Sequence, residues 1–237
     1  MSNDPVRDLG SADLGRQVST VGALAEPARW RLYQFVAASP EPVSREQAAA
    51  GVDMALHSVK FHLDRLVDEG LLDVEYRRLT GRTGPGAGRP SKLYRRADRQ
   101  VSVSLPERRY ELAGDLLAAA VERSLRDGTP VGDAVHEVAR AAGVDLVEGR
   151  GEAEGDPESD LALVSDVLSE LAYEPRVVEG QLCLNNCPFD RLAEAHTELV
   201  CGMNLSFVEG VLAGLEIKTL RPRLEPDPER CCVKVAG

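Results

Sequence analysis

The chain has 237 residues, 43% of them apolar but only 4% aromatic, so one or two domains with a core of mostly Ala, Leu and Val are expected. No run approaches the roughly 18 consecutive apolar residues of a membrane span, which excludes a transmembrane helix. The formal net charge of −11 is unevenly spread: Pro27–Arg99 holds 13 Lys/Arg against 9 Asp/Glu, and the stretch from Gln100 onward holds 13 against 26.

In chain order, residues 1–12 are polar and acidic and read as a disordered tail. They lack the apolar stretch of a secretory signal, so a cytoplasmic protein is expected. Residues 13–100 then follow the order of a winged helix-turn-helix domain. "EPARWRLYQFVAASP" predicts a helix, with Pro27 in its first turn and Trp30, Leu32, Tyr33 and Val36 as an apolar stripe. "SREQAAAG" predicts a short helix capped by Ser44 and stopped at Gly51. "DMALHSVKFHLDRLVDEG" predicts a longer one, with Leu56, Val59, Leu63, Leu66 and Val67 on one side and Gly70 at its end. "LLDVEYRRL" and "SKLYRRA" read as two strands joined by the Gly/Pro-rich loop "TGRTGPGAGRP".

Residues 101–150 read as a helical connector holding two amphipathic stretches, and "RGEAEGDPESD" as an acidic linker. Residues 151–237 read as a separate α+β domain. It contains a helix in "DLALVSDVLSELAY", two short strands about Glu179-Gly180 and a long helical segment broken near Gly202. A final strand-like piece carries Cys231 and Cys232. The fold class is therefore α+β.

The basic excess is concentrated in Tyr76–Arg99, where eight Lys/Arg face only Asp98. Screening cuts off distant charges beyond about 8–10 Å, so an acidic chain can still hold a polyanion there. On the long helix, the apolar stripe leaves His57, Ser58, Lys60, His62 and Arg65 on polar faces, as a helix reading bases in the major groove requires. Ser44 and Arg45 open the preceding helix, where backbone N–H groups and a guanidinium suit phosphates. The hairpin adds Arg77, Arg78, Arg82, Arg89 and Lys92, with Arg95 and Arg96 beyond; "GRP" at Gly88–Pro90 is slim enough for a minor groove. The alternative, that these charges only solvate a surface hairpin, leaves the agreement of element order, charge and loop composition unexplained. A phosphate-binding loop is excluded, because "GRTGPGAGRPSK" lacks the required spacing and joins two strands.

All five cysteines lie in the last quarter: Cys183, Cys187, Cys201, Cys231 and Cys232. An odd, localised number in a chain read as cytoplasmic does not make a disulfide framework. Burial without chemistry explains any one of them, but five in about fifty residues point to a thiol site. The loop between Cys183 and Cys187 can wrap a metal centre, and Pro188 after Cys187 resembles the Cys-Pro that ends some iron–sulfur ligand runs. Zinc is the rival, although zinc ribbons usually offer two close C-x₂-C knuckles. A catalytic thiol with His196 as its base is a third reading; His196 falls on a polar helical face with no residue evidently placed to orient it.

Taken together, "EPARWRLYQFV", "HSVKFHLDRLVDEGLL", "YRRLTGRTGPGAGRPSKLY", "NCPFDRLA", "LVCGMNLSFVEGVLAGL" and "RCCV" resemble the ArsR/DeoR-like winged-helix regulators that include the SufR-type repressors. The resemblance runs from about Glu26 to Val233. It implies a non-enzymatic, homodimeric repressor of the genes for iron–sulfur cluster assembly, binding double-stranded operator DNA under control of a cluster, 4Fe–4S in type. The implied ligands are Cys187, Cys201 and one of Cys231 or Cys232, with Cys183 as the fourth. Leu105–Arg126 is the candidate dimer helix. A winged-helix regulator whose thiols hold zinc, or sense a thiophilic metal or an oxidant, is the alternative.

Overall fold

The computed structural model describes residues 11–78, 90–150, 153, 155–227 and 230–237. The chain separates into two compact units, Ser11–Val103 and one containing Ser104–Gly237.

The N-terminal unit is built from α1 (Ser11–Ala23), α2 (Pro27–Ala38), β1 (Val43–Ser44), α3 (Arg45–Val52), α4 (Leu56–Asp68), β2 (Leu72–Arg77) and β3 (Ser91–Arg96). Pro27 sits in the first turn of α2, where its missing N–H costs nothing, and the Glu26 carboxylate accepts from the Ala28 N–H. At α3, Ser44 and Gln47 form a reciprocal capping box. That helix runs one residue past Gly51 and ends with Asp53 in the left-handed region. The α4 stripe of Val59, Leu63 and Leu66 is fully buried against Leu32, Val36, Ala48, Leu72 and Tyr94. β3 lies between β1 and β2, antiparallel to both, with Val43 opposite Tyr94 and Val74 opposite the same residue from the other side.

α1 is a departure from the sequence reading, since it begins inside the stretch taken as a tail. Gly15, Gly22 and three β-branched residues give it a weak helical preference. Tertiary contacts hold it instead: Thr20 and Ala23 are buried, and the Ser19 hydroxyl donates to Glu69 at the end of α4.

The second unit contains α5 (Tyr110–Asp127), α6 (Val131–Leu146), α7 (Pro157–Glu170), β4 (Pro175–Val178), β5 (Gln181–Leu184), α8 (Asp190–Ala195), α9 (Thr197–Gly214), β6 (Arg221–Leu224) and β7 (Val233–Ala236). Its sheet is antiparallel throughout, in the order β4-β5-β7-β6. α9 is its axis: Val200, Met203, Phe207, Val208 and Val211 are buried in one core with Leu182, Leu184, Val233 and Val235 from the sheet. A Cβ built on Gly143 of α6 would stand 2.2 Å from the Phe207 carbonyl oxygen of α9. One built on Gly210 of α9 would stand 2.1 Å from the Arg140 carbonyl oxygen of α6. The two backbones therefore touch, and only glycine fits at these contacts.

This contact corrects the division at residue 150. α6 buries Ala134, Val135, Ala139 and Gly143 and shares one core with the cysteine-bearing segments, so residues 101–150 are not a separate connector. The candidate dimer helix is also shorter than expected: α5 starts at Tyr110, and its Ala113, Leu116 and Ala120 are consumed by that same core. The expected break near Gly202 lies instead at His196, between α8 and α9. No helix among the described residues is long and apolar enough to cross a membrane.

Candidate functional site

In the N-terminal unit, α4 presents His57, Lys60, Phe61, Arg65 and Asp68 to solvent, with Ser58 half-buried; Leu56, expected in the apolar stripe, is exposed as well. His57, Ser58 and Lys60 thus lie on the solvent side of α4. His62 does not. It shares the side of α4 that carries Val59, Leu63 and Leu66, and its Nδ1 is buried with no partner among the described residues. Burial, with Arg29 nearby, holds its pKa below the usual histidine value.

Ser44 is likewise unavailable to phosphate. The residue is buried, its N–H donates to Gln47 Oε1 at 2.8 Å and its hydroxyl accepts from the Gln47 N–H. Arg45 is exposed but paired with Glu46 at 2.8 Å, and Arg65 is paired with Glu69. Arg77 reaches Glu75 at 3.1 Å and Arg95 reaches Asp73 at 3.3 Å. Such exposed pairs are weak and exchange readily for phosphate. Arg78 is exposed with no acidic partner among the described residues. Arg82 and Arg89 lie outside the described residues.

Lys92 is tied into its own domain by two contacts. Its Nζ donates to Asp64 of α4 at 2.6 Å and sits 5.0 Å from the Tyr94 ring centroid, while the Tyr94 hydroxyl donates to the same carboxylate at 3.3 Å. Lys92 ties the hairpin to α4. Arg78→Ala is therefore expected to lower the slope of log affinity against log salt by roughly 0.9 per protomer. Lys92→Ala, which removes an ammonium already held by Asp64 and not one held by phosphate, should leave that slope near its original value. Salt titration of DNA affinity for the two variants checks the assignment.

In the second unit, a cavity of about 650 Å³ is lined by Cys187, Cys201, Cys231 and Cys232. They arrive from three places: the loop after β5, the first turns of α9 and the approach to β7. The loop is held by Arg108, whose guanidinium donates to Asn186 Oδ1, to the Cys187 carbonyl at 2.9 Å and to Asp190 at 3.0 Å. The Cys231 N–H donates to Leu184 O at 3.0 Å, and the Cys232 carbonyl accepts from Glu225 N at 2.7 Å. Under the thiols, the buried Tyr173 hydroxyl donates to Asn204 Oδ1, and Asn204 Nδ2 donates to Cys231 Sγ at 3.3 Å.

Cys183 is outside this cavity. Leu182 and Leu184 point from β5 into the core, so strand alternation turns Cys183 to the other face of the sheet, opposite Arg176 on β4 and Lys234 on β7. Cys231 and Cys232 both line the cavity, so four of the five thiols share it. His196 is exposed at the α8–α9 junction and does not line the cavity.

The thiols interact. A hydrogen bond from Cys231 holds the Cys187 pKa below the ordinary cysteine value, aided by the Phe189 N–H and Arg108, against the effect of burial. Cys231 is correspondingly raised, first by that hydrogen bond and then by burial. Burial, then the neighbouring Cys232, pushes Cys201 up to about 12. Among the described residues, no three or more His, Cys, Asp and Glu side chains are gathered around one point as a single metal ion requires. The thiols frame a space. Four thiols are a donor set that either a zinc ion or an iron–sulfur cluster accepts.

Residues 24–75 match the family described as a helix-turn-helix domain. Neither the curated proteins nor the solved structures gave a match to the chain. The matched span covers α2, α3, α4 and most of β2, the elements that carry His57, Ser58 and Lys60. The N-terminal unit thus contains a helix-turn-helix DNA-binding domain of the kind found in winged-helix regulators, and the chain is a DNA-binding transcription regulator.

Proposed function

We propose that this regulator is a repressor of iron–sulfur cluster assembly genes whose operator affinity is set by a cluster, 4Fe–4S in type, held by Cys187, Cys201, Cys231 and Cys232. The convergence of these four thiols on one cavity carries the reading, and the SufR-like motifs around them support it. When bound, such a group supplies redox sensitivity and a cross-link between the segments that ligate it. The chain's own residues orient the ligands: Arg108 fixes the Cys187 loop, and Asn204 directs an N–H at the Cys231 sulfur. Ligation would tie the loop after β5, α9 and the strand β7 together, stiffening the unit that carries α5.

The regulator acts as a homodimer on a palindromic operator. α5 supports this with a second apolar row, Ala118, Val121 and Leu125, beside the buried Ala113, Leu116 and Ala120; Val121 and Leu125 are 46% and 82% exposed. A second reading rests on the adjacency of Cys187 and Cys231: the thiols themselves answer to an oxidant or a thiophilic metal.

Iron and sulfide analysis of the anaerobically purified chain separates the two, since a cluster protein is brown and zinc or bare thiols are colourless. Titration of operator DNA at one salt concentration is then expected to show the cluster-loaded form binding roughly 5–150-fold tighter than the cluster-free form, the usual range of allosteric coupling. Equal affinities would remove the sensing role. A half-site duplex bound as tightly as the palindrome would remove the dimer.

A further inference from the structure

We infer that Phe61 is a specificity-determining residue that reads the 5-methyl groups of thymine in the major groove. The inference rests on the DNA-binding role of the helix-turn-helix domain. The chain has four phenylalanines: Phe189 and Phe207 are buried, Phe35 is half-buried, and Phe61 is 66% exposed. An aromatic ring held in water is costly, yet this one stands on the helix that enters the groove, one turn beyond His57 on the same side.

Its neighbours on the helix surface are His57, Ser58, Asp64 and Arg65, all polar or charged. A protein-docking patch needs contiguous apolar area. An apolar probe flanked by hydrogen-bonding side chains has instead the composition that separates A·T from G·C in the major groove, where the thymine methyl is the one apolar feature and Phe is among its partners. The ring is also braced. His62, itself half-buried, meets Phe61 edge to face with centroids 5.4 Å apart and an interplanar angle of 68°. His62 is thus a positioning residue for the reading surface, which gives that half-buried histidine a use.

The test uses the full chain, purified anaerobically, to enrich duplexes from a randomised pool. Each thymine of the enriched duplex is then replaced in turn by deoxyuridine, which lacks only the methyl group. Wild-type protein should lose affinity about 4-fold at one or two positions in each half-site, the worth of one buried methyl. Phe61→Ala should bind thymine and deoxyuridine duplexes equally, and Phe61→Leu should keep part of the difference. The exposed position makes both variants neutral to folding, which circular dichroism verifies. Enrichment with no methyl dependence, or equal dependence in Phe61→Ala, overturns the role of Phe61 alone. Failure to enrich any duplex overturns the DNA-reading role and this inference with it.

Discussion

Replacing Cys187, Cys201, Cys231 or Cys232 by Ser, one at a time in the full chain, is expected to abolish retention of iron and sulfide on anaerobic purification, whereas Cys183→Ser keeps both. Serine retains the size of cysteine but offers a hard oxygen to a soft iron. The cavity is lined by four thiols and no fifth, so a lost cysteine has no substitute thiol there. Cys183 faces away from the cavity between Arg176 and Lys234, and a hydroxyl there is tolerable. Iron and sulfide content is the measurement, with circular dichroism to show that each variant folds. Loss of the cluster in Cys183→Ser together with its survival in Cys232→Ser would overturn the ligand set.

The helix-turn-helix elements were legible because their signals are local. Pro27 at a first turn, the Ser44–Gln47 capping box and the spacing of Val59, Leu63 and Leu66 each act within a few residues. Features set by distant partners were not. Lys92 read as one more basic residue because Asp64, which holds it, is 28 positions earlier. Cys183 reads as a ligand because it is four positions from Cys187; the register of β5, which no spacing rule reveals, turns it away from the cavity that holds the other four thiols. Gly202 resembled a helix break, yet it lies inside α9 against His136 of α6. β6 escaped notice because Pro222 argues against a strand, and it survives as the last strand of the sheet, where a missing N–H costs no pairing. Phe61 carries no signal in the sequence, because its exposure is set by the fold around α4.

Gly210→Val should destabilise the second unit by about 1–3 kcal/mol or more, while Gly132→Ala on the neighbouring helix should stabilise it by up to about 1 kcal/mol. The contrast lies in what a side chain would meet. At Gly210 the nearest atoms are the carbonyl oxygen, carbonyl carbon and Cα of Arg140, all backbone, and none can rotate aside; at Gly132 there is open space. To admit a Cβ at Gly210 the axes of α6 and α9 must separate, opening the core around Phe207 and Val211. α9 also carries Cys201 and Asn204, so its displacement should loosen the thiol cavity as well as the core. Amide hydrogen exchange of the cluster-free chain reads both effects: protection should fall across 104–237 in Gly210→Val and remain unchanged across 11–103. Alkylation of Cys201, which burial holds as a protonated thiol, should quicken in the same variant. Unchanged protection in 104–237 would mean that the α6–α9 contact is not what fixes α9, and with it the placement of Cys201 beside Cys232.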